Sequence, residues 1–567
     1  MIPPRAQGAL LAAAIMLVLG PSLGAGFVWD DYRLIVESPT LNNLQNIPGY
    51  FSANLAKSSG AVGVSAEGVD VYRPLYMTML ALVRTLTDQP DSRLFHLSVL
   101  LWHLGCCLLL WRVARRVLQG SVPPVLVTLA FAFHPVTSEA YLLASSICEP
   151  MAACGLLGAA LLLDGIDESK RRPARVRAAL AGGVLLCGLL SKEVILFALP
   201  PVFVWLVSRG LRWPRLVPSL LAAGLFLVMR IGVLGGLAAT GSGPAQRLDF
   251  LHHTPLLLVE GFWAGLAMRP LGIRHLSYEY EVVPWSVAAL AGLVVLAAVV
   301  VAALRRRDAP EATLAVFVFV LMLLPVGMVT TVHGWGGFGR YLYVPWAFGA
   351  LALGTLFSGP VRRTSGWSRG LVVLGLMAYL VLQQLGLRTA LADWSDQERV
   401  ARSGIRQAPE VGVHYSWLAD VLRDRGQRNQ AQAYFEEAIV KTEHYDPAHV
   451  HLAELHRGNG QPEVCLTSLE RLEARKGPGP KSSLLATLCL LDLGRYEQAA
   501  RRLLWALHRA PENDDLTRLQ GELLAIHPRP EEYQRWLKGQ LVLPEYAAAA
   551  PVVLRLLDAA QGSGDSG

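Results

Sequence analysis

The stretch FVWDDYRLI, Phe27 to Ile35, follows an apolar run from Ala9 to Gly20. Asp30 and Asp31 are the first acidic residues of the chain, and they stand where a membrane-crossing helix would end. Read this way, the stretch marks the outer mouth of a first span. The rest of the sequence can be oriented from it.

Of the 567 residues, 53% are hydrophobic and only 17% are charged, against about 25% charged in a typical soluble domain. The mean hydropathy of +0.38 points the same way. The formal charge is +7, but the basic residues gather in short runs between apolar segments. That pattern suits cytoplasmic loops better than a nucleic-acid surface.

Apolar stretches up to about residue 390 predict about eleven spans. Their cores are 8–26, 95–112, 123–140, 146–163, 178–191, 193–208, 215–235, 286–304, 311–330, 341–358 and 369–388. Residues 178–208 read as one long helix or two. The stretch 256–271, broken by Glu260 and Arg269, reads as an interfacial or re-entrant helix. The basic runs are RVARR (112–116), KRRPARVR (170–177), RGLRWPR (209–215), RRR (305–307) and VRRTSGWSR (361–369). With the amino terminus inside, each falls on the cytoplasmic side, as the positive-inside rule asks. The tail then lies outside with Asp30 and Asp31. Arg5, a short apolar core and Ala25-Gly26 also suit a cleaved signal peptide, and Trp29 onward emerges outside on either reading.

Past residue 390 the chain turns polar and helical. Gly426, Gly460 and Gly494 stand 34 residues apart. That is the period of tetratricopeptide repeats, paired helices that stack into a solenoid. Each Gly falls where the first helix of a pair must end in a left-handed residue. Leu418, Ala419, Ala431, Phe435 and Ala438 fill the first unit, and Ala499, Ala506 and Pro511 the third; the middle unit has Cys465 and Leu472 where Ala is usual. The expected organisation is all-α: a transmembrane domain over 1–390 with a long outer loop 27–94, a connector 391–410, three repeats over 411–514, and degenerate capping helices with a disordered tail over 515–567. Five of the seven cysteines (Cys106, Cys107, Cys148, Cys154, Cys187) lie in or near apolar segments, and no CxxC or zinc spacing occurs.

The outer side collects the chemistry. VYRPLY carries Arg73, HPVTSEAY carries His134 and Glu139, CEPM carries Glu149, SKEV carries Lys192 and Glu193, and GRYLYVP carries Arg340 and Tyr341. Ionisable groups inside apolar runs are costly and usually functional. Bland readings stand beside each. Asp30 and Asp31 suit a solvated cap. Lys192 and Glu193 suit a pair with each other. Arg73 and Arg340 suit snorkelling anchors. His134 before Pro135 suits a turn, and Tyr141, Tyr341, Tyr343 and Trp346 suit an interfacial aromatic belt.

The ordered set FVWDDYRLI, VYRPLY, FHLSVLLWHLGCCLLL, HPVTSEAYLLASSICEP, SKEVILFALP and GRYLYVP, followed by the repeats, resembles the GT-C glycosyltransferases. Most similar is their branch with carboxyl-terminal tetratricopeptide repeats, the transmembrane-and-TPR protein O-mannosyltransferases and their bacterial relatives. The resemblance covers residues 27 to 346 and, through the repeats, most of the rest. The Ala/Leu/Arg/Gly-rich composition and the lack of an Asn-x-Ser/Thr sequon favour a bacterial source, hence an inner membrane with site and repeats on the periplasmic side. The resemblance implies an enzyme that moves a sugar, mannose among the candidates, from a polyprenyl-phosphate carrier to a protein hydroxyl or other acceptor, with inversion. Asp30 or Asp31 would be the base, since a hydroxyl needs a carboxylate to take its proton. The lipid phosphate leaves as a stable anion and asks for cationic clamps, here Arg73, Lys192 and Arg340. Glu139 and Glu149 would orient sugar or acceptor hydroxyls.

The sequence departs from those relatives at Gly339, where they often carry an acid, at Ile147, where Arg is common, and at Pro150. Asp30 and Asp31 also suit a divalent cation, without a dedicated cage. The expected partners are the lipid-linked sugar, a protein or peptide acceptor on the repeats, and the bilayer, with no nucleic acid. A scaffold whose repeats recruit extracytoplasmic partners, or a transporter of lipid-linked sugars, would account for the spans. A transporter should place charges near the midplane of inverted repeats, and no such symmetry is visible.

Overall fold

A computed structural model describes residues 3–59, 71–118, 124–167, 169–236, 273–274, 310–333, 336–363, 367–442, 446–509 and 514–562, with isolated residues between 297 and 305. Among the described residues the regular structure is helical apart from one two-residue antiparallel pairing of Ile273–Arg274 with Gly336–Gly337. The chain divides into two compact units, the first running to Gln407 and the second starting at Ala408.

In the first unit the principal helices are α1 (Pro4–Leu19), α2 (Pro74–Arg84), α3 (Ser92–Val117), α4 (Pro124–Ala132), α5 (Cys148–Asp164), α6 (Arg171–Ser191), α7 (Leu199–Ser208), α8 (Val217–Leu234), α9 (Pro310–His333), α10 (Tyr343–Arg363), α11 (Trp367–Asp393) and α12 (Gln397–Gln407). Among the described residues, five helical stretches are long and apolar enough to cross a membrane: Pro4–Gly24, Ser92–Val117, Ala144–Asp164, Arg171–Ser191 and Trp213–Leu234. Shorter apolar helices cover Glu193–Ser208, Glu311–Met322 and Tyr343–Leu356. The predicted span 286–304 and the interfacial stretch 256–271 lie outside the described residues.

One expectation changes and one open reading is settled. The stretch 123–140 is not one helix: α4 ends at Ala132 and short turns carry the chain through Glu139 to Ile147. His134 and Pro135 cause the break, because Pro disfavours a helical residue before it and the His134 ring accepts the Val136 N–H. Residues 178–208 form two helices. Lys192, with φ −159° and ψ 128°, is extended and separates α6 from the helical turns that follow. Within the connector 391–410, α12 buries Val400, Ala401, Ser403 and Gly404 along one face. Pro150 sits in the first turn of α5, where a missing N–H costs no intrahelical bond.

Helices α5 and α6 pack through glycine. A Cβ on Gly155 would lie 2.5 Å from the Gly188 Cα. Small residues let apolar helices approach closely where no water drives them together. This contact places Lys192, four residues beyond Gly188, beside Glu149, six before Gly155. At the opposite end of α5, Asp164 accepts from Arg116 at 2.7 Å and Arg209 at 2.8 Å. The two charged clusters are thus separated by about 22 Å along one helix.

The second unit stacks α13 (Gly412–Asp424), α14 (Arg428–Lys441), α15 (Asp446–Gly458), α16 (Pro462–Lys476), α17 (Pro480–Asp492) and α18 (Tyr496–Arg509). Each helix packs on the next, and α13, α15 and α17 also touch one another in sequence, the neighbour pattern of a helical-pair solenoid. Gly426, Gly460 and Gly494 have φ of +76°, +75° and +69°. A Cβ at any of the three would meet nothing within 4 Å, so the backbone conformation alone demands glycine. In the predicted capping region three helices follow, α19 (Asp514–Ile526), α20 (Pro530–Gln540) and α21 (Ala550–Gly562). They close the stack with a core of Leu516, Leu523, Tyr533, Leu537, Val553 and Leu557.

A disulfide joins Cys465 of α16 to Cys489 of α17 across a sequence separation of 24. It explains Cys465 at a position where a repeat usually carries Ala. Replacing both by Ser is expected to destabilise the second unit by about 3 kcal/mol, the loop-closure value for a ring of this size. Thermal unfolding of the full chain in detergent, with and without reductant, reads this. An unreduced wild type that melts like the double variant would overturn it.

Candidate active site

Asp30 and Asp31 are adjacent but have different surroundings. Asp31 is fully buried. Its Oδ1 accepts the Ser145 N–H at 2.7 Å and its Oδ2 accepts the Val28 N–H at 3.1 Å. It braces the loop against the segment between α4 and α5. Asp30 keeps a quarter of its side chain exposed and accepts from Arg340 Nη1 at 2.8 Å. Only Asp30 of the two is open to a reactant.

Arg340 is the hub. Besides Asp30, its Nε lies 3.5 Å from Glu139 Oε1, and its backbone N–H donates to Glu139 Oε2 at 3.2 Å. Its guanidinium sits 4.6 Å over the Trp29 ring and 5.4 Å from that of Tyr341. Gly339 supports this arrangement, since a Cβ there would lie 2.7 Å from the Val136 oxygen and 3.2 Å from Glu139 Oε2. Any side chain at this position would crowd the Val136 carbonyl and the Glu139 carboxylate.

Lys192 pairs with Glu149, both almost wholly buried, and its ammonium lies 4.6 Å over Tyr341. Arg73 holds Glu193 through two parallel bonds of 3.0 and 2.9 Å. Lys192 and Glu193 therefore join two longer-range pairs rather than each other. The helix break at Lys192 turns the neighbouring side chains to different partners. Arg73 and Arg340 are ion-pair members rather than snorkelling anchors.

The structure brings together Asp30, Glu139, Glu149, Lys192, Arg340 and Tyr341, with Arg73 and Glu193 alongside. It does not bring in His134, whose buried ring packs 4.5 Å from Trp346 and near Tyr379. The aromatic-belt reading also changes. Tyr141 and Tyr343 are fully buried around His103, whose Nδ1 lies 2.7 Å from the Tyr343 hydroxyl oxygen, and Trp346 is buried too. Among the described residues no cluster of His, Cys, Asp and Glu suits a metal. The donor set explains why: Asp31 is occupied by two N–H donors, and Asp30 faces a guanidinium, which would repel a cation.

Burial pushes the Asp31 carboxyl up to about 7, against the pull of the Ser145 and Val28 N–H bonds. Between its ordinary value near 3.8 and about 7, the folded chain keeps a proton that the unfolded chain has released. Its contribution to stability is therefore full in acid and falls as pH rises through that window. Asp31→Asn, which cannot ionise, is expected to flatten the slope of melting temperature between pH 4 and 7. An unchanged slope would show that another group sets it.

Trp29 and Gln397 escaped the sequence reading. Trp29 has φ +48°, the one described non-glycine residue with positive φ. No sequence pattern signals this, because bulky residues normally avoid that region.

No known family model matches the chain, and no curated protein matches it. Among solved structures, one match is a chain from the crystal structure of the APC/C hetero-tetramer Cut9-Hcn1. It is 14% identical, with 85% of this chain and 93% of that chain covered, at a TM-score of 0.23. A likeness at that score carries no argument about fold or activity.

Proposed function

We propose that the chain is a polytopic membrane glycosyltransferase of GT-C type with a tetratricopeptide tail, using a polyprenyl-phosphate sugar as donor. The observation that carries this is Asp30, a carboxylate one quarter exposed and held by Arg340 within a cluster of carboxylates and cations. Asp30 takes the proton of the acceptor hydroxyl as its oxygen attacks the anomeric carbon. The new carbon–oxygen bond forms as the bond to the carrier phosphate breaks. The phosphate departs with that electron pair, and configuration inverts.

Arg340, Lys192 and Arg73 suit the leaving phosphate, but each is already paired with a carboxylate. A phosphate that engages Arg340 competes directly with Asp30. Released from that bond, the Asp30 carboxylate is free to meet the acceptor hydroxyl, so donor binding and exposure of the base become one event. Glu139 and Glu149 remain to orient hydroxyl groups.

Sidedness is part of the proposal. The basic residues Arg116 and Arg209 meet Asp164 at one end of α5, as cytoplasmic loops should. The candidate site lies at the other end. The Cys465–Cys489 disulfide supports an oxidising compartment for the repeats. The test is transfer from a panel of radiolabelled polyprenyl-phosphate sugars in membranes to protein acceptors and to water. Release of sugar from one donor supports the reading. No consumption of any donor would favour the scaffold alternative.

A further inference from the structure

We infer that Gln397, the first residue of α12, is a positioning residue that holds Trp29 in a strained backbone conformation and thereby sets the Asp30–Arg340 pair. Its activity arm rests on the glycosyltransferase reading; its structural arm does not.

A tryptophan at φ +48° brings its Cβ against its own backbone, and such residues persist only where the surroundings over-determine them. The surroundings here are specific. The Trp29 N–H donates to Gln397 Oε1 at 2.7 Å. Three residues earlier, the Gly26 N–H donates to the Ser395 carbonyl at 2.8 Å. The strand of chain before α12 therefore grips the loop at two points. His96 Nε2 adds a bond of 3.2 Å to the Gly26 oxygen from α3, and Phe27 packs edge-on against Phe95.

Gln397 is itself fixed. Asp396 accepts the Arg399 N–H at 2.9 Å, as a helix cap does, and Ser395 bonds to Asp396. The side chain of Gln397 is thus presented from a capped helix start, not from a free loop.

The consequence falls on the next residue. Asp30 and the Trp29 ring hold the same guanidinium, the carboxylate by a 2.8 Å bond and the ring from 4.6 Å. If Trp29 relaxes to negative φ, ring and carboxylate change their relative direction and can no longer meet one Arg340. Gln397 touches neither Asp30 nor Arg340 by any described bond, so it acts through Trp29.

The test labels the full chain in detergent with 5-fluorotryptophan, assigning the Trp29 resonance by its loss in Trp29→Phe. Gln397→Ala is expected to shift or split that resonance. Gln397→Glu keeps an oxygen acceptor for the N–H and is expected to leave it in place. In the transfer assay Gln397→Ala should lower kcat by roughly 10- to 100-fold, as a small misplacement of reacting groups does, with KM within about twofold and recovery in Gln397→Glu. A Trp29 resonance that ignores Gln397→Ala overturns the inference. So does a resonance that moves while kcat stays at the wild-type value. If the wild type transfers no sugar at all, the resonance still decides the positioning, and only the glycosyltransferase reading falls.

Discussion

Asp30→Asn is expected to reduce sugar transfer by roughly 10²- to 10⁴-fold, the range that a positioned base contributes. The folded chain should survive, because Asp30 is partly exposed and Arg340 keeps Glu139 as a second partner. Asp31→Asn should behave in the opposite way. One of its two oxygens becomes an amide that faces a backbone N–H, either from Ser145 or from Val28. Two donors then meet, a buried acceptor is lost, and stability falls by about 1–3 kcal/mol. Transfer at low temperature should persist. Comparing initial rates with melting temperatures for both variants separates a reactive carboxylate from a bracing one. Full activity in Asp30→Asn, or a well-folded but inactive Asp31→Asn, would exchange or remove these roles.

The second large effect is at Lys192. Its pairing with Glu149 is almost completely shut off from water. Removing one partner of such a pair leaves an uncompensated charge and costs about 3–5 kcal/mol. Lys192→Met should therefore lower the melting temperature sharply. Lys192→Met combined with Glu149→Gln removes both charges and is expected to recover most of that loss, since replacing a whole buried pair is often close to neutral. Transfer should remain defective in the double variant if Lys192 contributes to holding the phosphate. A double variant that regains both stability and activity would make the pair purely structural.

These variants also bear on how the cluster is built. Glu149 and Lys192 come from helices whose closest approach is the Gly155–Gly188 contact. Arg340 depends on the absence of a side chain at Gly339, whose place beside the backbone is taken by Glu139. The site therefore rests on glycines that carry no chemistry.

The sequence by itself determined the classes of structure. Apolar length set which segments can cross a membrane, because hydrocarbon tolerates only backbone that satisfies itself. The 34-residue spacing of Gly426, Gly460 and Gly494 set the helical pairs, because each pair needs one left-handed residue to end its first helix, and those three glycines adopt it. Local order also marked Asp30, Glu139, Glu149, Lys192 and Arg340 as charges out of place in apolar surroundings. Only the tertiary structure decided who pairs with whom. Lys192 and Glu193 are neighbours in the chain, yet an extended residue between two helices sends one to Glu149 and the other to Arg73. Asp30 and Asp31 look equivalent in sequence, but only three-dimensional packing buries one and opens the other. Trp29 and Gln397 are 368 residues apart, and their bond depends on where α12 begins in space. Spacing along a chain dictates helical faces and turn positions, whereas the partner of a charge is chosen by which helices pack closely enough to exclude water.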